Sequence, residues 1–118
     1  MKRLALAVFK EFKGALTEQY VLQQLLLNKE MITYYWSAEK SQGELDFLIQ
    51  YEGKIVPIEV KAEENLQAKS LKSYKQKYNP SFSVRVSMSD YRDESWLANV
   101  PLYGVCVLDK LIADNTNI

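Results

Sequence analysis

Two strand-like runs, Glu44–Tyr51 and Lys54–Lys61, are separated only by Glu52-Gly53, and this spacing constrains the fold more than any other feature. A two-residue connection leaves no room for a crossover, so the runs must pair as an antiparallel hairpin. If Glu52 and Gly53 form the loop, Tyr51 faces Lys54, Asp46 faces Glu59 and Glu44 faces Lys61. Directly opposed residues share a sheet face with Cβ atoms about 4.5–5.5 Å apart. Lys61, two positions beyond Glu59, belongs to that same face, while Ile58 and Val60 turn to the other. A bulge would slide this register by one residue and offset the two acids.

The remaining chain builds around that hairpin. Ala15 to Asn28 has helix-forming residues and apolar spacing, and Met31 to Trp36 reads as a strand. Ser37 to Gly43 is polar and loop-like. Asn65 is a helix cap for Leu66 to Tyr78, with Asn79-Pro80 as the stop. Phe82, Val84 and Val86 alternate along a further strand, Ser89 to Asn99 reads as a surface excursion, and Leu102 to Leu108 as a last strand before a helical or frayed tail. The order α-β-β-β-α-β then gives an α/β fold: an antiparallel meander, a helical crossover to a parallel strand, and a mixed sheet flanked by helices. No internal repeat or linker divides the 118 residues, which suit one domain with one core.

Composition excludes several chemistries. There is no histidine, which removes Ser-His-Asp and Cys-His catalysis and histidine-ligated zinc. The single cysteine, Cys106, cannot form an intrachain disulfide and fits a reducing interior. The apolar start of the chain ends at Phe9 before Lys10, too short for a signal peptide core, and no run of about 18 apolar residues occurs. A cytoplasmic protein without a membrane segment is expected. Fifteen basic and fifteen acidic residues cancel, so any attraction to phosphate must be local.

Around the first helix, at 100° per residue, Ala15, Val21, Leu22, Leu25 and Leu26 fall in one arc, with Thr17, Gln19, Gln23 and Gln24 outside it. Glu18 lands in the middle of the apolar arc. It either reaches water or a basic residue from the helix end, or belongs to a site. Two facing carboxylates destabilise a hairpin unless something cationic sits between them. Asp and Glu oxygens suit Mg²⁺ or Mn²⁺. A metal held there polarises a phosphoryl oxygen and lowers the pKa of bound water, and Lys61 can orient or deprotonate that water. The alternative for the same residues is a solvated strand face of mutual ion pairs.

Glu18, Gly43-Glu44-Leu45-Asp46 and Ile58-Glu59-Val60-Lys61 together resemble the PD-(D/E)xK superfamily, the restriction-endonuclease-like nucleases. The strings Lys13–Tyr20, Glu44–Phe47, Pro57–Ala62, Ala68–Tyr74 and Val100–Tyr103 resemble more narrowly a nuclease-like C-terminal domain of unknown function that follows an AAA-type ATPase domain. The likeness runs from about Phe12 to Val107. It implies Asp46, Glu59 and the Val60 carbonyl as metal ligands, Lys61 as the catalytic lysine and Glu18 as the helix acid. Leu45 stands where the signature has proline. The chain has no G-x-x-x-x-G-K-[ST] loop, so the ATPase half of such proteins is missing, and an excised domain or a remnant encoded alone is expected. Relatives of this type often act as homodimers.

Lys69, Lys72, Lys75 and Lys77 make the second helix basic, with Leu71, Tyr74 and Tyr78 as its inner stripe. Its N-terminus follows Lys61 closely, where backbone N–H groups favour a phosphate. Lys69 and Lys72 are therefore candidates for DNA binding, or members of a solvated face. Tyr34, Tyr35 and Trp36 can stack on bases or pack the sheet, and Lys54, Arg85 and Arg92 are further candidates for phosphate contacts. Two readings follow: a Mg²⁺-dependent nuclease-like domain acting on DNA, or a non-catalytic DNA-binding or interaction module keeping that fold. An assembly role through exposed aromatics such as Trp96 is a third.

Overall fold

A computed structural model describes residues 16–36, 46–61 and 68–116. Helix α1 (16–27) leads through a turn at Asn28 into β1 (Ile32–Trp36), β2 (Asp46–Tyr51) and β3 (Lys54–Lys61). These three strands form an antiparallel meander. Helix α2 (Lys69–Tyr78) crosses to β4 (Val84–Ser87), which runs parallel to β3. Strands β5 (Arg92–Asp93) and β6 (Ala98–Pro101) follow, then a 3₁₀ segment (Leu102–Val107) and helix α3 (Leu108–Thr116). The result is one six-stranded mixed sheet, ordered β1-β2-β3-β4-β6-β5 and flanked by helices.

The hairpin has the expected register. Both turn residues adopt positive φ, Glu52 at 50° and Gly53 at 78°, the conformation of a type I′ turn. Glycine takes this conformation freely, whereas the left-handed region costs Glu52 about 1 kcal/mol. The right-handed twist of the strands selects it nonetheless.

Alternation sorts the sheet into two faces. Phe47, Ile49, Val56, Ile58, Val60, Val84, Val86, Ala98 and Val100 share one face and form a single core with Val21 and Leu25 of α1 and Leu108 and Ile112 of α3. On the other face α2 lays Ala68 and Leu71 against Leu97, with Trp96 at the edge. Covered on both sides, β3 is buried continuously from Val56 to Lys61. Helix α2 stops at Asn79, whose φ of 47° turns the chain left-handed while its N–H bonds Lys75 O at 2.8 Å.

Four expectations need correction. The last strand is Ala98–Pro101, not Leu102–Leu108. Leu102, Val105 and Leu108 turn inward every third residue while Tyr103, Cys106 and Val107 are exposed, the period of a 3₁₀ helix rather than of a strand. A Cβ at Gly104 would lie 3.1 Å from Val100 Cγ1, so glycine lets this segment fold back closely over β6. Second, the supposed excursion at Ser89–Asn99 contains β5 and the start of β6, and Asn99 is wholly buried. Third, the buried face of α1 runs through Thr17, Val21 and Leu25; Leu26 is exposed and Glu18 sits on the flank, half-buried. Fourth, Tyr78 is exposed and meets Tyr74 at a tilt, their ring centroids 4.7 Å apart, instead of joining the inner stripe. The expected helix start at Asn65 and Leu66 and the loop from Ser37 to Gly43 lie outside the described residues.

Candidate functional site

Backbone pairing places Asp46 directly across from Glu59 on adjacent strands. For Asp46 the description stops at the backbone; the predicted partner of Lys61, Glu44, lies outside the described residues. Glu59 is fully buried, and its Oε1 accepts the Ser70 N–H at 3.3 Å. Ser70 stands in the first turn of α2, where free N–H groups and the helix dipole favour negative charge. The feature expected to attract a phosphate therefore serves, at this N–H, the protein's own carboxylate. Lys61 is also buried and follows Glu59 on the same face. The Val60 side chain belongs to the apolar core on the opposite face.

Glu18 comes from α1, whose buried side chains join the apolar-face core. Its flank position on the helix replaces the central one read from the sequence. Among the described residues no group of three or more His, Cys, Asp or Glu side chains is arranged to hold a metal ion. The carboxylate pair Asp46 and Glu59 rests on strand register, and that register is the expected one.

The polar face extends further than sequence reasoning took it. Arg85 of β4 pairs in register with Glu59, Ser87 with Lys61, and Asn99 of β6 with Arg85. Arg85 is almost wholly buried; its Nε donates to Asn99 Oδ1 at 2.9 Å and its Nη2 forms an ion pair with Glu94. Ser87 Oγ donates to the same Asn99 oxygen at 2.7 Å, and Asn99 Nδ2 donates to the carbonyls of Ser89 and Asp90 at 3.2 and 3.0 Å. Asn99 thus uses both donors and both acceptor positions of its amide. The signal was present in the sequence: if Val84 and Val86 face the core, Arg85 and Ser87 must share the face of Glu59.

Of the other candidates, Arg85 is committed to this network and is not open to a phosphate. Arg92 is exposed, 3.6 Å from Glu94. Lys69 and Lys72 project from α2 into solvent, on a ten-residue helix with four lysines and no acid. Tyr34 and Tyr35 are exposed on β1, Tyr35 with its ring 5.6 Å from Phe47. Trp96 is half-buried rather than exposed. No helix among the described residues is long and apolar enough to cross a membrane.

Fold and pairings define an α/β domain with an apolar sheet face and a polar one, the polar face carrying an acidic register pair, a lysine and a buried arginine. The chain belongs to the family described as a domain of unknown function (DUF4143), whose model matches residues 13–103. No curated protein and no solved structure matches it.

Proposed function

We propose that this domain is a metal-dependent nuclease-like module of the PD-(D/E)xK type that hydrolyses phosphodiester bonds in DNA. The observation that carries the reading is the pairing of Asp46 with Glu59, with Lys61 next on the same face. The element order α1-β1-β2-β3-α2-β4 supports it as well, being the order of the restriction-endonuclease-like core. The donor set fits a hard divalent cation: Asp46 and Glu59 would hold Mg²⁺ or Mn²⁺, with the Val60 carbonyl as a further ligand. When bound, such a cation supplies Lewis-acid polarisation of the phosphoryl group and an acidified water. Lys61 would orient or deprotonate that water and would offset charge on the phosphate. The burial of Glu59 and Lys61 strengthens these electrostatic effects by excluding solvent. Glu18 takes an outer role from α1. In this reading the domain is cytoplasmic, works beside an AAA-type ATPase partner, and can act as a homodimer.

A second reading has its own support. Glu59 has the Ser70 N–H on Oε1 and Arg85 beside it in register, so the protein can stabilise this carboxylate without a metal. That favours a non-catalytic module which keeps the fold and binds DNA or protein. Incubating the chain with Mg²⁺ or Mn²⁺ and single-stranded, duplex and branched DNA separates the two. Cleavage lost in Lys61→Ala is the expected result; no cleavage, or equal cleavage by the variant, would sink the catalytic reading. Metal titration by calorimetry checks the ligands, and binding that survives Asp46→Asn with Glu59→Gln would mean that the metal sits elsewhere.

A further inference from the structure

A concavity of about 410 Å³ lies between α2 and the turn preceding β6, lined by Lys72, Lys75, Gln76, Asn79 and Trp96. It is shallow and open, with Lys72, Gln76 and Asn79 exposed, so it suits a chain lying along the surface rather than an enclosed small molecule. The lining combines three kinds of chemistry: an indole face, two ammonium groups and two carboxamides. Lysines alone would make a nonspecific anion surface. An aromatic platform with amides beside it suits a flat, hydrogen-bonding, negatively tethered group, which describes a nucleobase on its phosphate backbone.

The platform is fixed before any ligand arrives. Leu97, next to Trp96, is buried against Ala68 and Leu71. The turn is closed by Glu94 N–H to Leu97 O and Trp96 N–H to Glu94 O, both 2.8 Å, and by Ser95 N–H to Asp93 Oδ1 at 3.0 Å. Glu94 is anchored to the sheet by the Arg85 ion pair. Its carboxylate, the acid nearest the indole in sequence, is engaged by arginine, which offsets its charge toward an incoming phosphate. Lys75 Nζ stands 5.9 Å from the indole centroid, at the outer limit of a cation–π contact, so it can yield the ring face to a base and turn to the backbone. The groove also lies on the helix that reaches Glu59: from Ser70 to Asn79, α2 rises only roughly 13 Å.

We propose that this groove binds single-stranded nucleic acid, with a base stacked on Trp96, its edge met by Gln76 and Asn79, and flanking phosphates on Lys72 and Lys75. The inference builds on the nucleic-acid reading above but does not require cleavage. It is tested by fluorescence anisotropy with a labelled oligothymidylate in EDTA at low salt, alongside indole quenching. Trp96→Ala is expected to weaken binding about tenfold and Trp96→Phe less, with the Trp96 share of the quenching, measured against a Trp36→Phe background, lost in both. Lys72→Ala with Lys75→Ala should flatten the log K against log[salt] slope by about 1.4, at about 0.7 per single-strand phosphate contact. Urea midpoints of all variants are compared with wild type, and Trp96→Phe carries the test if Trp96→Ala does not fold.

Undiminished oligonucleotide binding by folded Trp96→Phe and by the double lysine variant would overturn the proposal. So would polyglutamate binding more tightly than the oligonucleotide, which would make the groove a seat for an acidic peptide. The two readings fail separately. Trp96-dependent binding without Lys61-dependent cleavage leaves the groove and removes the nuclease; cleavage with normal binding by the Trp96 variants does the reverse.

Discussion

Replacing Asn99 by alanine tests whether the buried network on the polar face holds β4, β6 and the Arg85–Glu94 pair together. The substitution deletes four hydrogen bonds. The carbonyls of Ser89 and Asp90 border solvent and can exchange Asn99 for water at little cost. Arg85 Nε and Ser87 Oγ lie in buried side chains and have less recourse. Losing a buried partner costs about 1–3 kcal/mol, with the charged donor toward the upper end. The expected destabilisation is about 3–5 kcal/mol, set against a typical total of about 5–15 kcal/mol. For a chain of this length that corresponds to a fall in Tm of roughly 12–20 °C. Urea unfolding followed by far-ultraviolet circular dichroism measures the change, provided the slope m is unaltered. Asn99→Asp keeps the oxygen that accepts from Arg85 and Ser87 but sets a second oxygen against the Ser89 and Asp90 carbonyls, so it should not restore wild-type stability. A loss below about 1 kcal/mol for Asn99→Ala would refute the reasoning, because water would then replace the whole amide.

Three further outcomes follow from the geometry. Glu52→Asn should stabilise the hairpin by about 0.5–1 kcal/mol, since asparagine tolerates the positive φ that Glu52 adopts; denaturant midpoints read this, and a loss would mean the carboxylate has another role. Asn79→Ala should cost about 1 kcal/mol and Asn79→Gly little or nothing, because the left-handed cap must be kept at that residue. Burial raises the Tyr51 phenol above its usual value of 10.0, helped by the negative charges of Glu52, Glu30 and Asp109. A raised folded value means that the folded state holds its proton longer than the unfolded chain. The stability this contributes is complete below about pH 10 and is lost as pH climbs toward the raised value. Absorbance titration should therefore show a late-titrating tyrosine that disappears in Tyr51→Phe; unchanged late absorbance would assign it elsewhere.

The hairpin was legible because two residues between two strands leave a single pairing, and the side-chain period of two then fixes every face. The α2 stop was legible at Asn79-Pro80 for equally local reasons. What was not legible depended on contacts between distant segments. Asn99 reads as a loop residue until Arg85, Ser87 and two carbonyls meet it, and only then does Ala98–Pro101 become a strand. The apolar run at Leu102–Leu108 fits a strand by composition, but its burial follows a period of three imposed by packing over β6. Thr17 and Leu26 exchanged places because the sheet selects the buried arc of α1, and hydropathy alone centres that arc on the leucines. Within the candidate site, Asp46, Glu59 and Lys61 could be related from local pairing, whereas the face of Arg85 follows from the alternation of Val84 and Val86 but its register opposite Glu59 does not.

That difference in range has a kinetic consequence. Asp46 and Glu59 are joined through a tight turn, whereas Arg85 meets Glu59 only after the α2 crossover closes. Short loops close early and non-local parallel pairings late. The two acids are thus expected to meet before the arginine that neighbours Glu59 arrives, so early hairpin formation proceeds against charge repulsion. Refolding should quicken when either acid is made neutral, even though the finished sheet accommodates both. The two acids of the register pair would then also set the pace at which the sheet assembles.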